Sequence, residues 1–226
     1  CIRDRDLLEW FDWYLKGVGE KPGLFVEIQS NKGQWRIEER YPPQGMETIS
    51  LDLGGQMMNI AGTTTILPNG NFGPIYESDP FDEAIWISGL PRLHIDVITA
   101  TLGGQIYVLM EDCSEEGVCI HIGHAIMDLR YHEGGGQEQT WIPIFETINA
   151  KMEFFAIDAQ IEEGHTLRIS LASTGEDYLP ASTSSIVEIS EGSNSNLLID
   201  IIQPGGKILF DPPACTHQYC LDWLEQ

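Results

Sequence analysis

Positive charge is what this sequence has least of. Twelve lysines and arginines stand against 35 aspartates and glutamates, a formal net charge of −23 over 226 residues. Such a surface repels phosphate backbones and anionic lipid, which argues against nucleic acid and membrane surfaces as partners. Long apolar runs are missing too, and nothing approaches the ~20 residues that a membrane-spanning helix needs. No basic segment followed by an apolar one opens the chain, so no signal peptide is visible. The opening Cys1-Ile2-Arg3 instead reads as a cut inside a longer protein. Cysteine is sparse: Cys1, Cys113, Cys119, Cys215 and Cys220, with no CxxC pair and no zinc-ligand spacing. Either close pair can be bridged, but the odd count favours free thiols in a reducing, cytoplasmic compartment.

Reaction signatures are equally scarce. There is no GxSxG elbow, and the serines crowd into turns at 182–185 and 190–195, where no base is at hand to activate them. HExxH is absent. His121 and His124 are three apart, so on a regular strand they face opposite sides of the sheet and share no metal unless a bulge intervenes. With His132 they read as three unrelated histidines. The carboxylates Glu111-Asp112, Glu115-Glu116, Glu162-Glu163 and Asp79/Asp82/Glu83 are neighbours on turns, without EF-hand spacing. A structural calcium ion held by loop carboxylates is the one metal this leaves room for. The GGQ stretches at 54–56 and 103–105 precede no helix and read as turns, not phosphate cradles.

What the chain does have is a dense aromatic start and many short strands. LEWFDWYLKG (8–17) belongs to a helix over 4–17, stopped by Gly17, Gly19, Pro22 and Gly23. Its apolar residues cover an arc of about 220°, against the about 100° that packing on one sheet requires. The pattern then changes to apolar runs such as LFVEIQ (24–29), METISLDL (46–53), LHIDVIT (93–99), QIYVLMED (105–112), MEFFAIDAQI (152–161), HTLRISLAS (165–173) and SIVEIS (185–190). Leu93, Ile95 and Val97 alternate with His94, Asp96 and Ile98, and Leu167, Ile169 and Leu171 with Arg168, Ser170 and Ala172, the period of half-buried strands. LPNGNFGP (67–74), HEGGGQE (132–138), STGEDYLP (173–180) and SEGSNSN (190–196) read as turns. Strands in this number, without helices between them, predict an all-β, two-sheet sandwich with Greek-key or jelly-roll crossings.

Five segments in order resemble the C-terminal, non-catalytic region of the CocE/NonD hydrolase family (cocaine esterase, α-amino-acid ester hydrolases, glutaryl acylases, X-Pro dipeptidyl-peptidases). They are WFDWYLKG (10–17), LFVEIQSNKGQWRIEERYPP (24–43), IYESDPFDEAIWISGLPRLHIDV (75–97), IYVLMEDCSEEGVCIHIGHAIMDLRYHEG (106–134) and FFAIDAQIEEGHTLRISLAS (154–173). Their order and spacing hold over roughly residues 8–180. Thr166 stands where the family usually has arginine, and the tail after Pro204 matches none of its motifs.

The resemblance implies a galactose-binding-like jelly-roll β-sandwich over 21–226, its end uncertain over 205–226. It also implies that 1–20 are a helix and linker left from a preceding α/β-hydrolase domain. That domain would carry the serine, acid and histidine of ester, amide or X-Pro hydrolysis, and would be the main partner of this chain. No residue here is therefore assigned a catalytic, cofactor-binding or metal-ligating role. The domain would shape substrate access, with the loop before Tyr76 as a wall, or support assembly, including homo-oligomers. Within the motifs, His165 reads as a buried hydrogen-bonding histidine, Arg168 as half of a strand-end ion pair, and Asp112 as an acceptor for turn N–H groups. The alternative function is a carbohydrate-binding module, with Trp86, Trp141 and Tyr178 as the aromatics that would stack on sugar rings.

Overall fold

In the computed structural model, which describes residues 2–23, 26–134, 138–175, 177–181, 185–203 and 208–210, the aromatic opening is helical. Helix α1 spans Ile2–Phe11 and widens into a π-helical turn over Asp12–Lys16. Gly17 ends it in the left-handed region at φ 67°, a conformation that a Cβ would strain. The helix thus starts two residues before the sequence-based boundary. Its apolar side chains are uncovered: Leu8 is 60% and Leu15 74% exposed, and Leu7, Trp10, Phe11 and Tyr14 are exposed with them.

The chain forms two compact units, one of Pro42–Gln203 and one of the flanking segments. In the flanking unit, β1 (Val26–Gln29) and β2 (Trp35–Glu38) make an antiparallel hairpin. Its turn is tied by Ser30, whose N–H donates to the Gln34 carbonyl and whose Oγ accepts from the N–H of Lys32 and Gln34. Arg36 is buried on β2, with its Nε 3.0 Å from Glu38 Oε1.

The larger unit holds β3 (Glu47–Leu53), β4 (Met57–Asn59), β5 (Thr65–Ile66), β6 (Ile75–Ser78), β7 (Ile85–Gly89), β8 (Arg92–Thr99) and β9 (Gln105–Cys113). These are followed by β10 (Cys119–Asp128), β11 (Thr147–Glu153), β12 (Ile157–Ile161), β13 (Thr166–Ala172), β14 (Val187–Ser190) and β15 (Gly192–Ile201). Hydrogen bonds run β10-β9-β13-β6-β4-β3-β15-β8-β14-β5, with β11 on β8 and β7 joining β12 to β15. The pairs β9–β13 and β3–β15 join strands far apart in the chain, the long crossings of a jelly roll. The path folds back so that its two halves share one core. Ile106, Val108 and Met110 of β9 and Leu167, Ile169 and Leu171 of β13 belong to one cluster with Leu93, Ile95, Val97, Leu197 and Ile199. All eleven are fully buried, at about 25 cal/mol for each Å² of apolar surface removed from water. The expected all-β jelly-roll sandwich, preceded by one short helix, is what the structure has.

Two boundaries differ from the sequence reading. MEFFAIDAQI is split between β11 and β12, with Phe154 buried and Phe155 exposed at the break. SEGSNSN is not a turn: β15 begins at Gly192, and residues 193–195 bulge out before pairing with β3 resumes at Asn196. Ser195 makes the bulge affordable to bury, accepting from Asp96 N–H at 3.0 Å and donating to the Ser190 carbonyl at 2.5 Å. In the tail, β16 (Ile208–Phe210) pairs with β2 in the flanking unit. Cys1, Cys215, Cys220 and the LDWLEQ end lie outside the described residues.

Candidate functional site on the outer face of the sandwich

Strand β9 alternates with its even-numbered residues toward the core, so Tyr107, Leu109 and Glu111 face outward. Its partner β10 is irregular. His121 lies opposite Glu111 and His124 opposite Leu109, and the register shifts between His121 and Gly123. Ile122 is the extra residue of a β-bulge, which resets the alternation. Both histidines therefore lie on the outer face, against the expectation of opposite sides. Their ring centroids are 5.4 Å apart, with His124 Nδ1 3.4 Å from His121 Nε2. Gly123 sits where a Cβ would come 2.9 Å from Ile157 Cγ2, so the bulge closes on the core only without a side chain there.

Aromatic rings surround the pair. His124 Nε2 is 2.9 Å from Tyr178 Oη, and Phe155 packs 5.0 Å from the His124 ring, centre to centre. Tyr107 lies 6.0 Å from both His124 and Tyr178 and 6.4 Å from Phe72. Phe72 belongs to the loop before Tyr76, and that loop is fastened to β13 and to Ser173 just beyond it. Gly70 N–H donates to Ser173 Oγ at 3.0 Å, and Gly73 N–H to the Leu171 carbonyl at 2.9 Å. Gly175 lies flat on Tyr107, where a Cβ would meet the ring at 2.6 Å. Partial burial, then the neighbouring His121, pushes the His124 pKa below the ordinary histidine value, with Asp177 acting in the opposite sense. Sequence reasoning missed Tyr107, Phe72 and Phe155 because the face forms only when two loops close over β9.

A second constellation lies at the far end of β9. Asp112 is core-facing and buried, and its Oδ1 accepts from His165 Nδ1 at 2.7 Å. This corrects the expectation that turn N–H groups hold Asp112. Arg168 pairs with Glu77 at 2.7 Å, as expected, and the Thr166 hydroxyl donates to the same carboxylate at 2.8 Å. Glu77, Thr166 and Arg168, with Pro80, Cys113, Ser114 and Glu115, line a concavity of about 400 Å³. Among the described residues, Asp112 is the hydrogen-bond partner of the His165 ring. Cys113 and Cys119 are joined in a disulfide across the β9–β10 hairpin. The expectation of free thiols fails for this pair, because β-sheet register places the two directly opposite, with Cα atoms 4.0 Å apart.

The remaining candidates do not converge. His132 is buried elsewhere, its Nδ1 3.0 Å from the Leu129 carbonyl. Trp86 is 3% exposed and donates its indole N–H to Asp158 Oδ2, so it offers no stacking surface, contrary to the carbohydrate alternative. Trp141 is 73% exposed and stacks on no described ring, while Tyr178 is engaged by His124. Among the described residues no three His, Cys, Asp or Glu side chains gather as a metal-ligand set, and no helix is long and apolar enough to cross a membrane.

Comparison with known proteins places this fold. A CocE/NonD family hydrolase from Staphylococcus aureus superposes with a TM-score of 0.70 at 14% identity, covering 89% of this chain and 46% of that one. An aminopeptidase from a marine sediment archaeon (Thaumarchaeota archaeon) gives 0.67 at 13% identity, over 89% of this chain and 44% of that one. An α-amino acid ester hydrolase gives 0.56 at 12% identity, over 87% and 44%. At these identities the likeness is one of fold, and the chain spans less than half the length of these hydrolases. No curated protein matches it. Residues 17–193, from the glycine that stops the helix to the start of β15, match the X-Pro dipeptidyl-peptidase C-terminal non-catalytic domain, and the chain belongs to that family.

Proposed function

We propose that this chain is the non-catalytic partner domain of a serine hydrolase of the CocE/NonD type. It packs on an α/β-hydrolase domain that carries the ester, amide or X-Pro dipeptide hydrolysis, and there it shapes substrate access or assembly. The observation that carries this reading is the family match over 17–193, in a chain that corresponds to less than half of the hydrolases sharing its fold. Two features support it. The apolar face of α1 is uncovered, which fits a helix built to be covered by a further domain. The His165 ring is held by the buried carboxylate of Asp112, which fits a structural contact within the sandwich.

The test is hydrolysis of p-nitrophenyl acetate by the purified chain, alone and joined to the α/β-hydrolase domain of its parent. No turnover by the chain alone, and turnover by the joined protein, is the expected result. Activity of the chain alone that survives repeated purification would remove this reading. Access is tested in the joined protein by shortening residues 67–72, which is expected to change KM more than kcat.

A further inference from the structure

The bulge at Ile122 makes a chemical arrangement that the hydrolase reading does not use. His121 and His124 stand side by side on the outer face with their facing nitrogens 3.4 Å apart. Two imidazole nitrogens bound to one tetrahedral zinc, each at about 2.0–2.1 Å, are separated by about 3.3–3.4 Å. The pair is thus already set at the bite of a tetrahedral ion, with no rearrangement of β10. From this we propose that His121 Nε2 and His124 Nδ1 form a two-histidine site for a borderline divalent transition ion, zinc in the first instance.

The surroundings fit that role. The second nitrogen of His124 lies 2.9 Å from Tyr178 Oη. In the tautomer that donates this N–H to the phenol oxygen, Nδ1 carries a lone pair facing His121 Nε2, where an ion would take the place of the hydrogen between the two rings. An outer hydrogen bond of this kind fixes ring and tautomer in metal-binding histidines. Tyr178 itself is positioned by the loop that lies on Tyr107 through Gly175, so the orienting contact rests on a packed element. The Asp177 carboxylate is near enough to act electrostatically on His124, and Glu111 is the cross-strand neighbour of His121 on the same face. Both carboxylates attract positive charge to this face, on a chain that carries a net charge of −23. The protein supplies two of four ligand positions. The others are left to water or to an incoming donor group, so the site is open and weak compared with a structural Cys/His zinc site. Among the described residues, His165, His132 and His94 lie elsewhere, so the pairing belongs to this bulge.

The experiment uses the full chain, stripped with chelator, its free thiols alkylated, and titrated with zinc chloride at pH 7.5 by calorimetry. One zinc per chain is expected to bind. His121→Ala and His124→Ala are each expected to weaken it on the order of a hundredfold, and Tyr178→Phe, which removes only the orienting contact, about tenfold. His94→Ala is expected to leave it unchanged. A second measurement needs no variant: copper(II) added in trace amounts to the wild-type chain should broaden the ring resonances of His121 and His124 before those of the other histidines. Absence of zinc binding at millimolar concentration, or binding that both alanine variants retain, or copper broadening centred on other residues, overturns the proposal.

Discussion

Removing the Cys113–Cys119 bridge is the sharpest test of the β9–β10 hairpin. The two cysteines are six residues apart in sequence and directly opposed in register. Closing so short a loop removes about 8 cal/mol/K of unfolded-chain entropy, or about 2 kcal/mol at 25 °C, in the chain-entropy description. The turn is independently closed by Ser114 N–H to the Val118 carbonyl and Gly117 N–H to the Ser114 carbonyl, both at 2.9 Å. The native hairpin therefore survives loss of the bridge, and the effect falls on stability rather than fold. For a domain of this size about 2 kcal/mol corresponds to a fall in Tm of about 4–8 °C. The variant is Cys113→Ala with Cys119→Ala, since Cys113 is buried and serine would bury a hydroxyl there. Calorimetry of oxidised wild type against the double variant measures the shift. Thiol titration in denaturant should find two more thiols after reduction of wild type, a gain that the double variant lacks. Unchanged melting together with equal thiol counts before and after reduction would refute the reasoning.

Further outcomes are expected. His94 faces Lys151 across β11 and Asn196 across β15, and partial burial first, then Lys151 and Arg92, hold its pKa below the ordinary value. The unfolded chain then binds this proton more readily than the folded one, so stability falls as pH drops through about 6.5. His94→Gln should flatten part of that slope in urea melts taken between about pH 7 and pH 5. Gly175→Ala drives a methyl into the Tyr107 ring and should cost about 1–3 kcal/mol in the same melts, with loss of the His124–Tyr178 contact visible by NMR. Asp112→Ala should cost about 1–3 kcal/mol by leaving His165 without its acceptor, whereas Asp112→Asn, which keeps an oxygen there, should cost less. Equal effects of the two would mean that the His165 hydrogen bond contributes nothing.

The regular parts of this fold were legible because period two survives where one face is buried. In β8 every second residue from Leu93 to Thr99 is buried, as the alternation requires. Two of the failures share one cause, residues inserted into a strand. Residues 193–195 look like a turn because their serines and asparagine are polar, yet the chain passes through them as a bulge within β15. Ile122 does the same in β10, where it turned two unrelated histidines into neighbours. Local composition does not encode a bulge, since its stability comes from partners far away in sequence, here Ile157 against Gly123 and Asp96 against Ser195. Trp86 misled for the opposite reason. An indole that finds a buried carboxylate, here Asp158, is as content in the core as on a surface.

The uncovered helix also carries its own optical reporter. Trp10 stands 4.7 Å from Tyr14 and 5.4 Å from Phe11, ring centre to ring centre, and is 47% exposed. With Trp13, it accounts for two of the six tryptophans in the chain. An indole emits at longer wavelength in water than in an apolar contact, so whatever covers α1 will shift the fluorescence of the whole chain toward the blue. Docking of a second domain can then be followed in real time without a label, and Trp10→Phe combined with Trp13→Phe supplies the silent control.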